Sequence, residues 1–85
     1  MEEGFIEAIE AEHRLMAIRM HDSASYCVVR LLGHYTPQAG QWVGGELHSF
    51  ACGYITSDTG QTIAVSVVRA GCSREEALRL LRDTR

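Results

Sequence analysis

The sequence predicts one α+β domain over residues 1–85, ordered α-β-β-β-α, with a three-stranded antiparallel sheet and two helices packed on one face. Three observations carry that expectation. The first twenty residues are rich in Ala, Glu, Leu, Met and Arg and show a helical period. Three later segments have strand composition, separated by Pro- and Gly-containing turns. A Ser-x-x-Glu box after a glycine then opens a last amphipathic stretch.

Glu3 to Met20 reads as the first helix. On a helical wheel Glu3, Glu7, Glu10 and Arg14 form a polar stripe, and Phe5, Ile9, Met16 and Met20 an apolar face. Ala8, Ala11, Leu15 and Ile18 add a second apolar edge, so the arc is wider than a surface helix needs. Leu15, Met16, Ile18 and Met20 are therefore candidates for contact with a protein partner.

His21-Asp22-Ser23 breaks the helix, and Ser25 to Tyr35 reads as the first strand. Thr36 to Gly40 forms a turn, and Leu47 to Thr56 a second strand with His48, Phe50, Cys52 and Tyr54 on one face. Ser57-Asp58-Thr59-Gly60 reads as a tight hairpin leading to a third strand, Gln61 to Arg69, with Ile63, Val65 and Val67 on one face. Gly71 ends that strand. Ser73 and Glu76 form a capping box, Cys72 and Ala77 can staple it, and Ala77, Leu78, Leu80 and Leu81 give the second helix its buried side. The intervening GQWVGGELHSF, residues 40 to 50, reads as the turn and entry of a hairpin, with Trp42 either a lid over the sheet edge or an exposed interface anchor.

The chemistry is sparse. A net charge of -3 disfavours a dedicated polyanion binder, and all eight basic residues are arginine, so lysine chemistry is excluded. No apolar run reaches the roughly 18 residues of a membrane span, and no signal pattern opens the chain, so a cytoplasmic protein without membrane contact is expected. Cys27, Cys52 and Cys72 have unrelated spacings and read as free thiols. The glycines of residues 40–45 lie between strands without a lysine, which argues against a phosphate cradle. His34 and His48 lack zinc-ligand spacing, and Cys27 points away from His34. No nucleophile elbow is present. No cofactor, metal or catalytic residue is assigned.

Two stretches, Gly44-Gly45-Glu46-Leu47-His48-Ser49-Phe50 and Gly71-Cys72-Ser73-Arg74-Glu75-Glu76-Ala77, together with the element order, resemble the double-stranded-RNA-binding domain. The first is similar to that family's loop motif, without its proline and with an extra residue before His48. The second is similar to the opening of its second helix. Where the family places phosphate-gripping lysines, this chain has Arg74 followed by Glu75. The resemblance implies a shared architecture with weakened RNA contacts and a role through protein contacts.

The leading expectation is a small non-catalytic protein-interaction or regulatory module of inhibitor or adaptor type. It would bind a protein partner or self-associate as a homodimer through Trp42 and the apolar edge formed by Leu15, Met16, Ile18 and Met20. The alternative is a nucleic-acid-binding module using His48, Arg74, Arg79 and Arg82. A small enzyme or metal protein stands third.

Overall fold

The computed structural model describes residues 2–21, 24–33, 37–45 and 52–83. Its strands are β1 (Glu2–Glu10), β2 (Leu15–Met20), β3 (Tyr26–Leu31), β4 (Trp42–Gly45), β5 (Cys52–Ser57) and β6 (Thr62–Cys72), followed by the helix α1 (Arg74–Asp83). Every strand pairing is antiparallel, and the order β1-β2-β3-β6-β5-β4 closes on itself as a barrel. This overturns the expected α-β-β-β-α order, the open three-stranded sheet and the likeness to the double-stranded-RNA-binding domain.

The decisive difference lies in residues 3–20, a β-hairpin and not a helix. Its turn, Ala11 to Arg14, is organised by the Glu10 carboxylate, which accepts from the Glu12 N–H at 3.2 Å and the His13 N–H at 2.6 Å. Arg14 adopts a left-handed conformation, with φ 57°, to enter β2. The apolar arc has a different origin from a helix face. On β2, Met16, Ile18 and Met20 point into the barrel, while Leu15 and Ala17 point outward beneath α1. A strand buried on both faces reads as an unbroken apolar run. On β1 the register slips between Ile6 and Ala8, leaving Glu7 as the bulged residue. Ile6 and Ile9 both pack with the barrel interior, so their spacing of three imitates a helical period.

The barrel is filled by Ile6, Met16, Ile18, Cys27, Val29, Leu31, Val43, Ile55, Ile63, Val65 and Val67, with Met20 near one end. Six strands leave an interior that side chains alone occupy. Gly4 is required by that density: a Cβ there would lie 2.4 Å from Ile18 Cγ2. A second core joins the outer faces of β2 and β3 to α1 through Leu15, Ala17, Tyr26, Val28, Cys72, Ala77 and Leu81. A membrane span is not available to α1: among the described residues no helix is long and apolar enough to cross a bilayer.

The C-terminal third matches its reading closely. Asp58 to Gly60 make the expected turn, closed by the Ser57 N–H to the Gln61 carbonyl at 2.8 Å, with Gly60 at φ 89°. The capping box is reciprocal: the Glu76 N–H donates to Ser73 Oγ at 3.2 Å, and the Ser73 N–H to Glu76 Oε1 at 3.3 Å. Gly71 does not end the strand, however. It lies at φ 69° inside β6, next to the irregular pairing of β6 with β3, and carries the ladder on to Cys72.

Candidate functional site: the outer face of β4, β1 and β2

Opposite side chains on neighbouring strands form rows across a sheet. One such row runs Trp42 on β4, Phe5 on β1, Arg19 on β2 and Tyr26 on β3, each the register partner of the next. Tyr26 lies under α1 and is buried, whereas Trp42, Phe5 and Arg19 stand outside the helix's cover. Trp42 and Phe5 meet edge to face, centroids 5.4 Å apart at 66°. His21 meets Trp42 in the same way at 5.8 Å, and the Arg19 guanidinium lies 5.3 Å from the Phe5 centroid.

The backbone beneath this cluster is tied down on both sides. The Asp58 N–H donates to the Trp42 carbonyl at 2.8 Å, and the Trp42 N–H reaches Asp58 Oδ2 at 3.4 Å. One residue earlier, the Ile6 N–H donates to the Gln41 carbonyl at 2.9 Å, and the Gly40 N–H to the Ile6 carbonyl at 2.8 Å. Trp42 is thus held in place with 38% of its surface exposed. Of the two readings of Trp42, the structure gives an outward-facing residue, on β4 and not in a turn.

The other residues expected at an interface are elsewhere. Leu15, Met16, Ile18 and Met20 are all buried, three of them inside the barrel and Leu15 beneath α1. Their apolar edge is core. His48 lies outside the described residues. Arg74, Arg79 and Arg82 line a shallow cleft of about 350 Å³ with Glu75 and Leu78 on the outer side of α1. Arg74 is already engaged there: its Nε donates to Glu7 Oε2 at 2.6 Å. Glu7 also accepts from the Tyr26 hydroxyl at 2.7 Å. The bulge therefore turns one carboxylate of β1 onto both the helix start and the buried tyrosine. The Tyr26 hydroxyl, followed by Arg74 and Arg19, holds the Glu7 carboxyl below its usual range against the opposing effect of burial. Burial first, then Glu7, pushes the Tyr26 phenol up.

Cys27 and Cys72 are buried thiols outside any disulfide, as their spacing suggested. Burial pushes the Cys72 thiol up, away from the reactive thiolate, and its Sγ donates to the Tyr26 carbonyl at 3.3 Å. His34 and His48, whose spacing argued against a zinc site, lie outside the described residues. Among the described residues, one group of side chains could converge on a metal: Glu10, Glu12 and His13, with ligand atoms within 4.8 Å of one another. Its proximity follows from the β1–β2 turn, where Glu10 Oε2 also meets His13 Nδ1 at 2.9 Å. Sequence reading missed Phe5, Arg19 and His21 because the meeting of Phe5 and His21 with Trp42, and of Arg19 with Phe5, depends on strand register. A row of alternating outward residues on β1 and β2 was the available signal. Compared with known protein families, curated proteins and solved structures, the chain shows no significant match.

Proposed function

We propose that this chain is a small non-catalytic binding module that acts through protein contacts on the outer face of β4, β1 and β2. One observation carries the reading: the chain's single tryptophan is anchored by backbone bonds outside the barrel, joined to Phe5 and His21, with Arg19 over Phe5. Tryptophan and arginine are the residue types that dominate interface energetics, and a backbone held in advance lowers the ordering cost of binding. The arginines of α1 support a nucleic-acid role less well, because Arg74 is bound to Glu7 and the helix also carries Glu75, Glu76 and Asp83. The net charge of -3 works against polyanions as well.

The test is site-specific photocrosslinking in cells expressing the full chain, with an aromatic crosslinking residue, which keeps a large ring at the site, at position 42 or at position 68. Val68 is also exposed, but on β6, three strands from β1 in either direction around the barrel. Discrete protein adducts at 42 and not at 68 are expected. Equal labelling at both positions, or none at 42, would overturn the proposal.

A further inference from the structure

The geometry points to a second copy of this chain as the occupant of that face, an inference that rests on the binding role proposed above. Four outward residues stand at the corners of a quadrilateral on β1 and β2. Glu3 and Phe5 are two apart on β1, Arg19 is the register partner of Phe5, and the His21 N–H donates to the Glu3 carbonyl at 3.0 Å. Glu3 and Arg19 therefore occupy one diagonal, Phe5 and His21 the other. Glu3 and Arg19 are both exposed, and among the described residues neither enters an ion pair.

That arrangement is complementary to itself. In a two-fold dimer each residue faces the position to which the axis carries it, so contacts occur in equal pairs. An axis lying in the plane of the face, along the Phe5–His21 diagonal, sets Arg19 of each copy against Glu3 of the other. It also sets Phe5 against its own counterpart. Trp42, on the side of Phe5 away from Arg19, then widens the apolar contact beyond the two ion pairs. A standard interface takes about 800 Å² from each partner. The molecule exposes 5071 Å² in all, so such an interface takes about a sixth of its surface.

The competing apolar surface lies across the barrel, where Tyr54 is 72% and Leu32 50% exposed beside Ala64. Its outward positions Tyr54, Thr56, Ala64 and Ser66 are uncharged, and the exposed Arg30 opposite Ser66 has no acidic counterpart among them to set the register of a second copy.

Light scattering behind size exclusion, from low to high micromolar protein, tests the inference together with a charge swap. The wild-type chain is expected to dimerise. Glu3→Arg and Arg19→Glu each place like charges opposite one another twice per dimer and should weaken association about tenfold or more. Mixing the two variants restores both ion pairs and should restore the dimer, as should the double variant alone. Circular dichroism and thermal melting of each variant check that the barrel is intact. A wild-type monomer at every concentration overturns the inference, as does a mixture no stronger than its components. If that monomer still gives adducts to another protein at position 42, the occupant is a different protein and the binding role survives. Absence of adducts at 42 removes both.

Discussion

β1 has one outer face with two fates. Toward its end, Ala8 packs under α1 and Glu7 reaches Arg74 and Tyr26. Toward its start, Phe5 and Glu3 have no helix over them, and Phe5 instead supports Trp42 and Arg19. Apart from the hydrogen-bonded Tyr26 and Glu7, the covered half is lined by small and aliphatic side chains that fill space beneath a helix, Ala8, Leu15, Ala17 and Val28. The uncovered half carries aromatic rings and charged groups. Large amphipathic side chains on a bare sheet contribute little to a monomer's core and much to a contact between molecules. The comparison separates residues that make the fold from residues left over for function.

Substitution inside the barrel sets the upper limit of that contrast. Ile18→Glu buries an unpaired carboxylate among Ile6, Met16 and Val29, with no exposed surface at the position. A loss above about 4 kcal/mol is expected, enough to unfold a domain of this size. Circular dichroism would show it. A variant with native melting behaviour would return Ile18 to the list of surface residues.

Beneath the helix the effect is smaller but still structural. Leu81→Ala removes one of the two most buried side chains by which α1 docks and should cost about 2–3 kcal/mol by urea denaturation. Hydrogen exchange in such a variant should rise in α1 before it rises in β5, because the barrel core does not include the helix. Uniform loss of protection would merge the two cores into one cooperative unit.

Much of this division was legible in the sequence, but not where it lay. The Asp58–Gly60 hairpin, the alternation of Ile63, Val65 and Val67, and the Ser73–Glu76 cap are local devices, and each formed as read. Residues 3–20 failed because their signal is not local. Leu15 to Ile18 is apolar on successive residues because a helix more than fifty residues later covers the outward side of β2. The Glu7 bulge moves the inward phase from Ile6 to Ile9. Good helix formers in that segment then agreed with a false period. For the site, Trp42 was recognisable by type, whereas Phe5 and Arg19 join it only through the pairing of β4 and β2 with β1.

Glu7 links the two halves and sharpens the comparison through pH. Its carboxyl is held below the ordinary 4.5, mainly by the Tyr26 hydroxyl and then by Arg74. A carboxylate with a depressed folded-state pKa stabilises the fold above its unfolded value and loses that contribution as pH falls through the folded one. Glu7→Gln should therefore cost about 1 kcal/mol at neutral pH, and the gap from wild type should narrow as the solution is made acid and Glu7 of the folded protein takes up its proton. Glu10, lowered chiefly by the His13 backbone N–H, keeps part of the acid limb in the variant. A gap that stays constant from neutral to acid would show that Glu7 acts by packing alone.

The smallest stability effect belongs to Trp42, and that smallness is informative. It is the only tryptophan, it lies outside both cores, and its neighbours Phe5 and His21 are themselves on the outer face. Trp42→Ala should cost no more than about 1 kcal/mol, the range of such edge-to-face aromatic contacts and far below the cost of a change inside the barrel. Dimer formation should fall sharply in the same variant. In dilute wild-type protein the indole emission should be that of a partly solvated ring, and it should shift to the blue as concentration rises and the face becomes covered. Emission that is blue-shifted at every dilution, together with a large loss of stability in Trp42→Ala, would make the aromatic cluster a third small core. The contrast between the two halves of β1 would then be one of packing, with no surface left over for a partner.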